Sequence, residues 1–281
     1  MGTSTSKGDA APGFPLVPPW ANQQNVVPPD ETDEPEDASD KTDADQPDEE
    51  QSAPPTPSPF APSAPFRTFR RNLSRYVETG NRDSARAAIG SWVNTSRGGA
   101  RFATQRLSRA IRSGGAVFAA VSRAAAGAGP IAGELDVRTL AGMPADVAID
   151  RIIDAFCPPG ILDEDTLRAA LGEVLAELLA GADTFDPAAV DESAIRVAML
   201  RFVAELVFVS VMLDSGDTFA AAAPSVAIQR ENDLRSLIRE VTDVVGGPRL
   251  AFPAAALSAS GVRDLISRVA FAVHAEIATW E

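Results

Sequence analysis

Residues 191–214, with the sequence DESAIRVAMLRFVAELVFVSVMLD, determine the fold class of this chain. The stretch is too long for an ordinary strand, and its Val, Phe, Leu and Met residues leave no wide polar face, which is typical of a helix buried on most sides. Asp191 is a residue type that favours the position just before a helix. The most apolar part, LVFVSVML, is too short to cross a membrane. The stretch therefore predicts a buried helix in a globular core.

The segments on either side of this helix also carry apolar residues at three- and four-residue spacing, which predicts further helices. Asp83 or Ser84 is expected to begin the second helix, and Pro144 suits the first turn of the fourth. Strand patterns are nearly absent. We therefore predict an all-α, multi-helix bundle of about eight helices. They are expected at 66–77, 83–94, 100–125, 144–156, 164–179, 191–214, 225–245 and 260–280.

The first 65 residues differ in composition from the rest of the chain. They contain fourteen of the 22 prolines, and segment 30–50 has twelve acidic residues and one lysine. Such a segment has too little apolar surface to offset the entropy lost on ordering. We therefore predict a long disordered, acidic, proline-rich N-terminal arm over 1–65, followed by an all-helical domain over 66–281. Within that domain, 66–125 is arginine-rich and 144–281 is acidic.

Arginines are concentrated at the start of the helical domain, where residues 66–123 include twelve arginines and two acidic residues. A helical projection of the third predicted helix places five arginines on one side and its apolar residues on the other. The five are Arg97, Arg101, Arg106, Arg109 and Arg112. This face predicts binding of an anion such as the phosphates of nucleic acid. The alternative is a solvated face that pairs with the acidic arm or acidic body of the same or a partner chain. The pair Gly114-Gly115 is expected to weaken or kink this helix.

The sequence contains no combination of residues typical of an enzyme active site. His274 is the only histidine and Cys157 the only cysteine, so a catalytic triad would have to include one of them. His274 lies within a helical pattern, and Cys157 follows the end of a predicted helix, where a packing role is expected. No Walker-type or dinucleotide-type glycine loop is present. We therefore predict a protein that is not an enzyme and that has neither a cofactor nor a metal ion.

The N-terminal sequence MGTSTS is the strongest candidate for a functional site. Removal of Met1 would leave the unhindered amine of Gly2 on an arm with no visible reason to fold. The same residues fit the N-myristoylation pattern M-G-x-x-x-[ST], so acylation is an alternative. The following PLVPPWA, at 15–21, predicts a docking peptide. The residues expected to dock a partner are Thr3, Ser4, Thr5, Ser6, Pro18, Pro19 and Trp20.

The location predicted for the protein is the cytoplasm, without a membrane anchor. The chain does not open with a charged region followed by an apolar stretch, as a signal peptide does. A single cysteine excludes an intrachain disulfide.

Three stretches together resemble one bacterial family: MGTSTS at 1–6, PLVPPWA at 15–21 and FRTFRRNLSRYVETGNRDSARAAIGSWVNTSRGGA at 66–100. The family is QatB, the B component of the bacterial Qat anti-phage system. The helical remainder, including DAFCPP at 154–159, is also similar to this family. The acidic segment from about residue 30 to residue 52 looks like an individual elaboration of a variable linker.

The resemblance implies a non-enzymatic subunit, a scaffold or an N-terminally modified carrier, of a multi-protein anti-phage defence complex. The implied partners are an ATPase subunit, a QueC-like enzyme and a TatD-like nuclease. Enzymes of the QueC type activate a deazaguanine carboxylate with ATP and then accept an amine, so Gly2 is the expected acceptor. The alternative function is a nucleic-acid-binding subunit that uses the arginine-rich helices of 66–123.

Overall fold

Helices make up nearly all of the regular structure in the described part of the chain. The structure is a computed structural model that describes residues 66–157, 164–250 and 258–280. These ranges contain nine α-helices and no strand, apart from a single β-bridge between Pro144 and Thr184. The all-α class predicted from the sequence is confirmed. The predicted arm over 1–65 lies outside the described residues.

The α-helices are listed here in chain order with their bounds. They are α1 (Arg67–Thr79), α2 (Arg82–Ser91), α3 (Ala100–Arg106), α4 (Ser108–Ala125), α5 (Ala145–Phe156), α6 (Glu164–Leu178), α7 (Glu192–Ser215), α8 (Pro224–Gly246) and α9 (Ala259–Ile277). A π-helix, Trp92–Ser96, follows α2. Short 3-10 helices at Val137–Leu140, Pro187–Ala189, Gly216–Thr218 and Gly247–Leu250 occupy the connections.

Helix α7 is the buried helix that the opening stretch predicts. The Asp191 carboxylate accepts a hydrogen bond from the Ala194 amide at 2.7 Å and so begins the helix as expected. Helices α4, α6, α8 and α9 all pack against α7. Its side chains join one hydrophobic cluster that extends from Phe69 in α1 to Ile277 in α9. Burying each large apolar side chain contributes about 2 kcal/mol, so α7 organises the core.

The start of α2 differs from the prediction. Asn81, and neither Asp83 nor Ser84, is the N-cap: its side-chain oxygen accepts from the amides of both residues, at 2.7 Å and 3.3 Å. Asn, Asp and Ser have similar preferences for this position. Three residues suited to the N-cap therefore lie within four positions, and the first of them follows the left-handed turn at Gly80, which has a φ of 67°.

The helix predicted over 100–125 is divided at Leu107, which is why nine helices are present where about eight were expected. The Leu107 amide donates to the Thr104 carbonyl, only three residues back, at 3.1 Å. The ψ angle of Leu107 is 0°, away from the α-helical value near −42°. The Leu107 carbonyl then accepts from the Ile111 amide at 2.8 Å and starts α4.

The expected kink at Gly114-Gly115 is wrong, because α4 continues through both residues. A Cβ at Gly114 would lie 2.2 Å from the Phe202 ring of α7, and one at Gly115 would lie 2.9 Å from the Arg263 Cα of α9. Both distances are far below an ordinary carbon–carbon contact. These glycines therefore allow α4 to approach α7 and α9 closely.

A buried carboxylate ties α8 to α7. Glu205 of α7 is only 1% exposed. Its Oε1 accepts from Nε and Nη2 of Arg239, at 3.1 Å and 2.9 Å. Arg235 lies 3.6 Å from the other oxygen and 4.4 Å from the centroid of the Phe208 ring. A buried charge held by two arginines fixes the relative position of the two helices.

Candidate functional site

An open groove of about 990 Å³ lies between α3, α9 and the C-terminal end of α8. We call it the arginine groove. Its lining residues are Arg101, Thr104, Gln105, Ser108, Val245, Arg249, Ser267, Arg268, Phe271, Ala272, Ala275 and Glu276.

Helical spacing explains which side chains reach the groove. Arg101 and Gln105 are four residues apart in α3, and Arg268, Phe271 and Ala275 follow one another at three and four residues in α9. Residues at these spacings share a face of a helix. The two faces meet because α3 packs against α9.

The groove carries an excess of positive charge. Arg101, Arg249 and Arg268 are all exposed, and none of them forms an ion pair within the described ranges. The Arg249 guanidinium donates a hydrogen bond to the Val245 carbonyl of α8. Glu276 is the one acidic residue among those that line the groove. Three arginines against one carboxylate favour an anionic ligand.

Two phenylalanines are exposed beside these arginines. Phe271 lines the arginine groove and is 49% exposed, while Phe102 is 57% exposed. Phe102 lines a neighbouring recess of about 440 Å³ together with Arg97, Gly98, Gln105 and Arg106. Gln105 borders both the recess and the groove. The two depressions are therefore neighbours, and each combines arginine with an exposed aromatic ring.

The five arginines predicted to bind an anion do not lie on one face of a single helix. The projection assumed a continuous helix, and the break at Leu107 separates Arg101 and Arg106 in α3 from Arg109 and Arg112 in α4. Arg101 lines the arginine groove, and Arg106 lines the neighbouring recess. Arg109 and Arg112 are exposed and line neither. Anion binding by these residues stays a prediction.

Arg97 is held by internal contacts. It forms an ion pair with Asp214 of α7, whose carboxylate also accepts from Trp92 Nε1 at 2.7 Å. The Arg97 guanidinium lies 5.2 Å from the centroid of the Trp92 ring. The structure therefore agrees, for Arg97, with the alternative prediction that these arginines pair with the acidic half of the same chain.

His274 is fully buried directly behind the groove, in contact with Thr104. The Thr104 hydroxyl lies 2.8 Å from His274 Nδ1 and 2.9 Å from the Ala100 carbonyl. Because the hydroxyl has one proton, both contacts are satisfied when it donates to Ala100 and accepts from Nδ1–H. Nε2 then has no partner in the described chain. Burial, and next the positive charge of Arg97, lower the pKa of His274 from 6.5 to about 4.

Cys157 is also buried, at the end of α5. Burial raises the pKa of its thiol to about 11, against the opposing effect of Arg168. A raised pKa favours the protonated thiol at neutral pH, which is a weaker nucleophile than the thiolate. Among the described residues, no three His, Cys, Asp or Glu side chains are grouped as metal ligands would be. In the same ranges, every helix is too short or too polar to span a bilayer.

The residues predicted at the N-terminus lie outside the described part of the chain. Gly2, the docking residues Thr3 to Ser6, and Pro18, Pro19 and Trp20 all precede residue 66. Their roles stay predictions.

Three groove residues were missed by the sequence reasoning: Arg249, Arg268 and Phe271. They come from the half of the domain described as acidic, and more than 140 positions separate them from Arg101. The available signal was Phe271, a large apolar residue that departs from the buried positions of α9 at 262, 265, 266, 269, 270 and 273. That departure indicates an exposed aromatic ring, but only the fold brings it to α3.

The fold and the groove together define an all-α protein with an arginine-lined surface groove. The family whose sequence model matches the chain is described as Qat anti-phage system associated protein QatB, and the match covers residues 98–269. This is more than half of the chain, which therefore belongs to the QatB family and is a component of the Qat anti-phage defence system. The resemblance recognised in the sequence is confirmed. The match includes α3 to α8 and most of α9, and it does not include MGTSTS or PLVPPWA. No curated protein and no solved structure gives a match.

Proposed function

We propose that this chain is a non-enzymatic subunit of the Qat system, whose helical body binds partner subunits and whose Gly2 amine is chemically modified. The proposed modifying partner is a QueC-like enzyme, and the other partners are an ATPase subunit and a TatD-like nuclease. The proposed location of this complex is the cytoplasm. Membership in a multi-component defence system makes such partners the natural starting point.

The observation that carries the non-enzymatic role is the burial of His274 and Cys157. These are the only residues of their types in the chain, and both are fully buried in helices or at a helix end. A neutral imidazole with a lowered pKa and a protonated thiol without solvent access cannot serve as general base and nucleophile toward an external substrate. The exposed groups of the body are instead arginines and phenylalanines, which are common in binding surfaces.

The acceptor role of Gly2 follows from the chemistry of the proposed partner. In the activation step, a carboxylate oxygen of the deazaguanine attacks the α-phosphorus of ATP, which gives an acyl adenylate and releases pyrophosphate. The free amine of Gly2 attacks the acyl carbon, an amide bond forms, AMP leaves and the amine loses a proton. A glycine amine suits this step because no side chain hinders its approach.

The experiment that tests this proposal is phage defence in cells that express the complete operon. Gly2→Pro leaves a hindered secondary amine and is expected to abolish protection, whereas Gly8→Pro makes the same change six residues away and should preserve it. His274→Gln and Cys157→Ala are expected to protect as well as the unaltered chain. Full protection by Gly2→Pro would rule out the acceptor role, and loss of protection by a folded His274→Gln or Cys157→Ala protein would contradict the non-enzymatic role.

A further inference from the structure

We propose that the arginine groove binds single-stranded nucleic acid, with its arginines on backbone phosphates and Phe271 stacked on a base. This site goes beyond the role proposed for Gly2 and does not depend on it. It combines Arg101 of α3 with Arg249 and Arg268 from the far end of the chain.

The first argument is the charge left without a partner. Eleven of the 23 arginines in the described ranges form ion pairs, as Arg82 does with Glu240 and Arg201 does with Asp243. The three groove arginines form no ion pair within the described ranges, yet they line one depression. Guanidinium groups bind phosphate oxygens through charge-assisted, often bidentate hydrogen bonds. The groove can therefore receive phosphates at these three guanidinium groups, although Glu276 also lines it.

The second argument is the exposed aromatic rings. Phe271 is 49% exposed inside the groove, and Phe102 is 57% exposed in the neighbouring recess with Arg106. A single strand supplies one phosphate and one planar base with each nucleotide, and bases stack on exposed aromatic side chains. An acidic peptide supplies carboxylates but no ring in each repeating unit. The combination of arginines with one exposed phenylalanine in each depression therefore favours a nucleic acid strand.

The third argument is shape. The groove of about 990 Å³ and the recess of about 440 Å³ share Gln105 along their border, so a flexible strand can continue from one into the other. In a duplex the bases are paired and stacked on each other, which keeps them from Phe271. These features favour a single strand over a duplex.

The test is fluorescence anisotropy of labelled (dT)20 and (U)20 with the full chain, measured from 50 to 300 mM NaCl. The two probes identify the preferred sugar, and saturable binding of either is the expected result. In the Arg101→Ala/Arg249→Ala/Arg268→Ala variant, the slope of log K against log salt should become shallower by about 2, since each single-strand phosphate contributes about 0.7. Phe271→Ala should weaken binding about five-fold or more with little change in slope.

Matched controls separate this site from general charge. Arg67→Ala/Arg71→Ala/Arg75→Ala removes three exposed arginines of α1 that do not line the groove, and Ile228→Ala removes an exposed apolar side chain of α8. Both are expected to bind the single strand nearly as well as the unaltered chain.

Several results would overturn the proposal. These are the absence of saturable binding at 50 mM NaCl, equal loss in the groove and α1 variants, or undiminished binding by Phe271→Ala. Tighter binding of polyglutamate than of the single strand would identify an acidic peptide as the ligand. Tighter binding of a duplex than of the single strand would exclude the single-strand mode. Equal affinity for dTMP and (dT)20 would identify a free nucleotide as the ligand.

Discussion

The substitution Gly114→Ala is expected to destabilise the protein although it places a better helix former in the middle of α4. The added Cβ would lie 2.2 Å from Cε1 and 2.3 Å from Cζ of Phe202. Ordinary carbon contacts are about 3.5–4.0 Å, so the ring has to move by more than an ångström. Phe202 is fully buried and packs edge-to-face on Phe118, with ring centroids 5.5 Å apart, so a shift of its ring disturbs the core.

The magnitude follows from two opposing effects. Overpacking of this severity costs about 3 kcal/mol, and the helix propensity of alanine returns about 1 kcal/mol. The net loss of about 2 kcal/mol corresponds to a melting temperature lower by about 4–8 °C for a domain of this size. Gly172→Ala in α6 is the matched control, because its Cβ would have Ile153 Cδ1 as its nearest neighbour at 3.9 Å, an ordinary contact. It should raise stability by about 0.5–1 kcal/mol.

The assay is urea denaturation followed by circular dichroism at 222 nm, with thermal melts as a second measure. The double variant Gly114→Ala/Phe202→Leu should lose less stability than the sum of its two single variants, because the smaller side chain relieves the overlap. Equal stabilisation by Gly114→Ala and Gly172→Ala would refute the close approach of α4 and α7.

Three further predictions concern buried polar groups. The pKa of His274 is lowered from 6.5 to about 4 in the folded protein, so the folded state binds fewer protons at this residue than the unfolded state does. As the pH drops from about 6.5 to 4, the free energy of unfolding should therefore fall by about 1.4 kcal/mol per pH unit relative to a His274→Gln variant. Denaturation midpoints of the two proteins over this pH range measure the difference. Glu205→Leu leaves Arg239 and Arg235 without their buried carboxylate and should cost about 3 kcal/mol in urea denaturation. Glu240→Gln, in an exposed pair, should change stability by no more than about 0.5 kcal/mol, and equal losses would contradict the structural role of Glu205. Cys157, with a pKa raised to about 11, should not react with a thiol reagent at pH 8 until the protein is unfolded, and prompt reaction of the native chain would contradict its burial.

The sequence predicts most of the helices because their signals are local. Asp191 begins α7 as expected, and the apolar spacing of the remaining segments places their helices within a few residues of the observed bounds. The break at Leu107 was not predictable in this way, because Leu is a good helix former and the visible breakers were Gly114 and Gly115. Those glycines are required by the neighbouring helices, which a local pattern does not contain.

The candidate site was predicted only in part for the same reason. Arg101 was identified because it lies in a dense arginine segment. Arg249, in contrast, is the only charged residue of segment 244–262, and Arg268 lies between Asp264 and Glu276, so local charge gives no signal at either position. Arg97 was predicted to bind an anion together with Arg101, and the structure pairs it with Asp214, more than 110 positions away. Charge patterns thus locate arginines, while only the packing of α3 on α9 decides which of them share a groove.

The measurement that tests the central claim most directly is the intact mass of the chain purified from cells that express the complete Qat operon. Without its initiator methionine, the chain should carry an added mass equal to one deazaguanine acyl group, and fragmentation should place that group on Gly2. The added mass should be absent from the Gly2→Pro variant and from cells that lack the QueC-like enzyme. An unmodified N-terminus in cells that resist phage would contradict the carrier role, and a C14 acyl group would identify myristoylation instead.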